Sequence, residues 1–143
     1  MTPQQIAIVQ STWEQIYPNA NVAATMFYTR LFELDPTLRR LFPGDLRAQY
    51  RKLVAAIGLA VRSLGNPDRL GPVLDELGRR HAGYGVKDPH YSTVGVALVD
   101  TLAAGLGDGF TPAVQEAWAA TYAVIAETMK NGAAQGRPVA LAR

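Results

Sequence analysis

The chain has 143 residues, the size of one domain, and its 48% hydrophobic and 18% charged residues are the composition of a globular protein. Its net charge is +2, and the basic pairs Arg39-Arg40, Arg51-Lys52 and Arg79-Arg80 lie scattered, so no concentrated nucleic-acid surface is expected. With no cysteine, disulfides, thiolate metal sites, iron–sulfur clusters and cysteine nucleophiles are excluded together, and a cytoplasmic location fits best.

Proline and glycine divide the chain into helical pieces. Thr2-Pro3, Asp35-Pro36, Asp88-Pro89 and Thr111-Pro112 read as helix starts, because Thr or Asp accepts from first-turn amides and Pro loses no bond there. Gln5, three residues after Thr2, completes a capping box. The apolar stripes that follow have helical spacing. Ile6, Val9, Trp13 and Ile16 form the first, and Val22, Met26 and Leu31, flanked by Phe27 and Leu34, form the second. A short piece, Pro36 to Phe42, precedes a long helix marked by Leu46, Tyr50, Leu53, Ile57, Val61 and Leu64. Leu70, Leu74, Leu77 and His81 mark the next, and Tyr91, Val94, Leu98 and Leu102 the one after. Val114, Trp118, Thr121, Ile125 and Met129 mark the last, and a frayed tail is expected over 132–143. No stretch alternates with period two. The expectation is an all-α single domain over residues 1–131.

The longest apolar run, Leu53 to Val61, is about half of a bilayer span, so no membrane helix is expected. The first residues lack the basic start and apolar stretch of a signal peptide.

Only two histidines are present. His81 falls on the apolar face of its helix, four residues after Leu77. Taken alone, such a residue is more often a core histidine satisfied by a backbone carbonyl than a metal ligand. One imidazole cannot hold zinc, which takes three or four ligands, but it suffices if a macrocycle supplies the others. His90 follows Asp88-Pro89 at a helix start and reads as a solvated or capping residue. No nucleophile elbow surrounds Ser63 or Ser92, and Gly105, Gly107 and Gly109 end a helix where a phosphate loop would open one.

Taken together, these residues resemble a known family. Phe27-Tyr28-Thr29-Arg30-Leu31-Phe32-Glu33-Leu34-Asp35-Pro36, followed by Leu41-Phe42-Pro43, resembles the second and third helices of globins. Leu77-Gly78-Arg79-Arg80-His81, Tyr84-Gly85-Val86 and His90 to Gly95 resemble the proximal stretch of bacterial single-domain haemoglobins and of vertebrate neuroglobin. The segment from Ala117-Trp118 to Ala126 is similar to the last globin helix. The match runs over about residues 2 to 131 in unbroken order, and it reverses the weighting on His81.

The resemblance implies a globin fold around one noncovalent haem b, with a short connection between Phe42 and Gln49 before the distal helix. It makes His81 the proximal iron ligand, its other nitrogen donating to a carbonyl one turn back. Phe42 would pack on the porphyrin, with Leu77, Val86, Tyr91, Val94 and Leu98 walling the proximal side. Tyr28 and Gln49 would stand on the distal side, with Leu53 crowding the ligand, and Lys52, Arg79 or Arg80 would meet the propionates. The implied function is reversible binding of oxygen at a pentacoordinate iron, with carbon monoxide and nitric oxide as further ligands. A nitric-oxide dioxygenase served by a separate reductase is the alternative, and a haem-free interaction module a third reading. Two departures stand out. Tyr91 matches the proximal tyrosine of flavohaemoglobins, but the carboxylate that completes their network falls near Ala133, with Glu127 too early. No second histidine is available on the distal helix, which argues against bis-histidine ligation.

Overall fold

In the computed structural model, the backbone is described for residues 1–141 and side chains for residues 1–134. All regular structure among these residues is helical: α1 (Pro3–Ile16), α2 (Ala20–Leu34), α3 (Leu46–Arg62), α4 (Pro67–Gly83), α5 (Asp88–Leu106) and α6 (Pro112–Leu141). Three short 3-10 helices, Tyr17–Asn19, Pro36–Leu41 and Gly107–Gly109, join them.

The helix starts follow the side-chain chemistry. Thr2 Oγ1 accepts from the Gln5 amide at 3.1 Å while Gln5 Oε1 accepts from the Thr2 amide at 3.0 Å. Asp35 accepts from the Thr37 amide at 3.0 Å, and Asp45 caps α3 by accepting from the Arg47 amide at 2.9 Å. The expected cap at Asp88 lies elsewhere. Asp88 is the first residue inside α5, and His90 Nδ1 accepts from the Lys87 amide at 2.9 Å instead. An imidazole at the third helical position serves as the orphan-amide acceptor.

α1 is fixed across α6 by a buried polar contact. Trp118 Nε1 donates to Thr12 Oγ1 at 2.8 Å, and that hydroxyl donates to the Ile8 carbonyl at 2.7 Å. The main core gathers Val9, Trp13, Val61, Leu74, Leu102 and Trp118. A second core of Phe27, Tyr28, Leu31, Leu38 and Ala97 lies between α2 and α5, and Leu98 packs against both. The stripe expected on α2 is rotated. Val22 and Met26 are exposed, and Ala20, Ala24, Phe27, Tyr28 and Leu31 face inward, because small alanines let α2 approach its neighbours closely. Arg30 and Asp100 pair at 2.8 Å along the rim of the α2–α5 contact.

The last helix also departs from expectation. Gly132 and Ala133 are buried, so the chain does not leave the body at residue 132. The side chains of the remaining tail, from residue 135, lie outside those described.

Ser63, at the end of α3, has a buried hydroxyl without a hydrogen-bond partner among the described residues. Removing a buried hydroxyl that nothing satisfies leaves no orphan behind. The Ser63→Ala protein should therefore be at least as stable as the parent, by up to about 1 kcal/mol in urea unfolding.

Candidate functional site

The site is assembled from five stretches of chain. α2 contributes Tyr28, which is buried and set among aromatic rings. Its ring lies edge-on to Phe42 at 5.2 Å between centroids and stacks on Tyr50 at 5.6 Å and 25°. Phe27 and Phe32 complete the enclosure at 5.0 and 6.0 Å. Phe42 follows the 3-10 segment opened by Pro36, and Gln49, Tyr50 and Leu53 come from the first two turns of α3. Burial pushes the Tyr28 hydroxyl up to about 12, against a smaller opposing pull from the Gln49 side chain. Leu53, Val94 and Leu98 pack on this cluster. Behind Leu53, a void of about 30 Å³ with no polar lining separates it from Trp13, Ile16 and Thr101.

α4 contributes His81. The ring is half-buried, and Nδ1 lies 2.7 Å from the Leu77 carbonyl. A carbonyl only accepts, so Nδ1 carries the proton and Nε2 of the neutral ring keeps its lone pair. Burial holds the ring's pKa below the ordinary histidine value, with the Leu77 bond opposing, which favours the neutral ring. The His81 carbonyl accepts from the Tyr84 and Val86 amides at 3.1 and 3.0 Å, which ends α4 and folds Val86 back. Gly85 makes that turn at φ +94°, a conformation that suits glycine, and a Cβ there would stand 3.6 Å from Leu41 Cδ2. The corner after α4 thus lies against the segment before α3.

The predicted residues fall into two groups. Tyr28, Phe42, Gln49, Leu53, Val94 and Leu98 gather on the aromatic side, while Leu77, Val86 and Tyr91 belong to the main core with Leu98 as the bridge. Lys52 is exposed, and Arg79 and Arg80 both pair with Glu76 at 3.1 and 3.3 Å. Tyr91 accepts at its carbonyl from the Tyr122 hydroxyl at 2.7 Å, and Lys130 Nζ lies 5.5 Å from its ring centre. A cation therefore covers the Tyr91 ring, Ala133 is buried, and Glu127 is exposed. Tyr50, Phe32 and Leu41 were not singled out as site residues. The signal for Tyr50 was its position three residues before Leu53, on the same face of α3.

The donor set defines what could bind. Among the described residues no three His, Cys, Asp or Glu side chains group to hold a metal ion. A single neutral imidazole beside aromatic and aliphatic walls fits an iron that arrives inside a flat apolar macrocycle.

Comparison with known proteins agrees with this architecture. The Globin family profile matches residues 25–129. The chain is 30% identical over 132 residues to a flavohemoprotein of Deinococcus radiodurans, covering 90% of this chain and 33% of that protein. It thus spans about a third of the length of the flavohemoproteins it matches. It is 30% identical over 139 residues to neuroglobin of Danio rerio, covering 87% of each. Among solved structures, a candidate nitric oxide dioxygenase from Rhodothermus marinus, engineered as a carbene transferase, superposes with a TM-score of 0.87 at 28% identity. That match covers 100% of this chain and 99% of the other. A hexacoordinated heme protein from an anhydrobiotic tardigrade gives 0.83 at 20% identity over 93% and 95% of the two chains, a likeness of fold alone. The chain belongs to the globin family.

Proposed function

We propose that this chain binds one noncovalent haem b, with His81 Nε2 as its protein ligand to iron. Tyr28 and Gln49 would then donate to a diatomic gas bound there, oxygen before carbon monoxide or nitric oxide. The observation that carries this reading is the His81 ring, whose Nδ1 proton is committed to Leu77 while Nε2 stays free and unprotonated. Haem supplies an iron with one position open to a small ligand. The rest is the work of the chain. Phe42, Val94, Leu98, Leu77, Val86 and Tyr91 wall the macrocycle, Leu53 keeps water from the ligand, and Lys52 or Arg80 meets the propionates.

Tyr28 keeps its proton throughout the physiological range, so its hydroxyl can always donate. A donor to a ligand that gains negative charge contributes about 1.5–3 kcal/mol, or roughly 10- to 150-fold in affinity. With Gln49 as a second donor, the chain fits a tight, slowly releasing oxygen binder better than a delivery carrier. A second reading is nitric-oxide dioxygenation with electrons from a separate reductase. Its support is the similarity to the globin third of flavohemoproteins and to the Rhodothermus marinus protein. A cytoplasmic site of action rests on the absence of cysteine, and no helix among the described residues is long and apolar enough to cross a membrane.

The protein offered hemin should develop a Soret band that shifts with carbon monoxide, and His81→Ala should lose the band's five-coordinate ferrous form. A protein that stays colourless with hemin would end the haem reading. Tyr28→Phe and Gln49→Leu should each speed oxygen release about 10-fold or more in stopped flow; unchanged rates in both would remove their role. Nitric-oxide consumption with a generic flavin reductase, lost in His81→Ala, would favour the second reading.

Tyr28 also gives a stability signature at alkaline pH. Its folded pKa of about 12 lies above the ordinary 10.0, so its contribution is complete below pH 10 and is lost as pH rises toward 12. Urea midpoints of the haem-free protein should fall between pH 10 and 12, and fall less steeply in Tyr28→Phe.

A further inference from the structure

α4 and α6 touch backbone to backbone at a single crossing. A Cβ built on Gly78 would run into the Met129 carbonyl, 2.7 Å from its carbon and 2.8 Å from Met129 Cα. A Cβ built on Gly132 would stand 2.5 Å from the Asp75 carbonyl oxygen and 2.7 Å from Asp75 Cα. The relation is reciprocal. On each helix, the glycine lies three residues after the residue that the other helix's glycine touches: Asp75 and Gly78 on α4, Met129 and Gly132 on α6. Two points of contact one turn apart fix both the slide and the rotation of one helix on the other. Only glycine permits this approach, since real Cβ atoms essentially never come within 3.0 Å of such atoms.

We propose that this glycine crossing sets the position of the His81 ring, and that Gly78 and Gly132 are positioning residues for the iron–imidazole bond. The proposal rests on the haem reading above. Gly78 precedes His81 by three residues, and Leu77, beside Gly78, accepts the His81 Nδ1 proton at 2.7 Å. The ring is thus tied to the backbone of the same turn that sits on α6, and it moves as that turn moves. α6 is also the principal seat of α4. The α4–α6 contact is the most extensive between any two helices, whereas α4 barely touches α3 across the site. Phe42, Val94 and Leu98, which would hold the macrocycle, stand on other elements. Most of the walls that would hold the macrocycle thus stand apart from α4, which adds Leu77 and Arg80, and the α4–α6 crossing sets how the imidazole meets the rest.

A methyl group at Gly132 enters neither the distal nor the proximal pocket, yet it overlaps rigid backbone by about half an ångström. Neither carbonyl can rotate away inside a helix, so α4 must shift, carrying His81 with it. Gly71 provides the control. It lies on the same helix, and a Cβ there meets nothing within 4 Å.

The test uses hemin-loaded protein in the ferrous state, with the iron–imidazole stretching band by resonance Raman and carbon monoxide affinity as readouts. Gly132→Ala should shift the band and change affinity by about fivefold or more. Gly78→Ala, with the more severe overlap, should shift it further, and Gly71→Ala should match the parent. A second comparison separates positioning from simple destabilisation. In a His81→Gly background supplied with free imidazole, the ligand is no longer tied to α4, so adding Gly132→Ala should change neither readout. A Gly132→Ala protein that takes up hemin and keeps the parental band and affinity overturns the proposal alone. So does a Gly132→Ala effect of equal size with free imidazole. A parent protein that takes up no hemin overturns the haem reading, and this proposal falls with it.

Discussion

A 2.7 Å hydrogen bond from His81 to the carbonyl of Leu77 is the constraint on which the site depends. It decides the tautomer, and the tautomer decides which nitrogen can bind a metal. It also orients the ring, because a bond to a carbonyl on the same helix leaves the imidazole little freedom to swing. Burial acts in the same direction by disfavouring the charged ring. Without that bond, a half-buried histidine has neither a fixed tautomer nor a fixed aim.

Opposite chemistry governs the other side. Tyr28 is a polar group placed where almost everything else is hydrocarbon, and aromatic rings surround it on several sides. Gln49, partly buried at the start of α3, is the polar side chain that opposes the effect of this burial. A buried hydroxyl normally needs a partner. Here the neighbouring polar side chain is an amide with two donors, so phenol and amide can both present hydrogens to a third group. The rigidity comes from the rings and the polarity from two atoms.

Much of this was legible from the chain alone, for identifiable reasons. Thr2, Asp35 and Thr111 announced helix starts because capping is local chemistry, settled within three residues. His81 and its carbonyl partner were legible because a spacing of four residues fixes a shared helix face. The inner face of α2 was misjudged, since large apolar residues at Val22 and Met26 outweighed the small Ala20 and Ala24 that close approach requires. At the start of α5 the capping role fell to His90, which the sequence offered as a solvated or capping residue, and not to Asp88, the commoner chemical choice. Tyr50 escaped notice as a site residue because its partner, Tyr28, lies on another helix, and stacking between helices leaves no trace in spacing. Gly132 read as the start of a loose end, yet its missing side chain is what allows contact with α4. A glycine that breaks a helix and one that seats another helix look alike until the partner is known.

The order of the helices along the chain adds a consequence for biosynthesis. α4 rests mainly on α6, and α6 is translated after it, with α5 between. While the ribosome is still making α5, the histidine-bearing helix has no surface to dock on and its imidazole has no settled place. Nascent chains fold from the N-terminal side as they emerge. The α2–α5 unit with its aromatic cluster can therefore assemble first, and the imidazole of His81 settles only once α6 has left the exit tunnel.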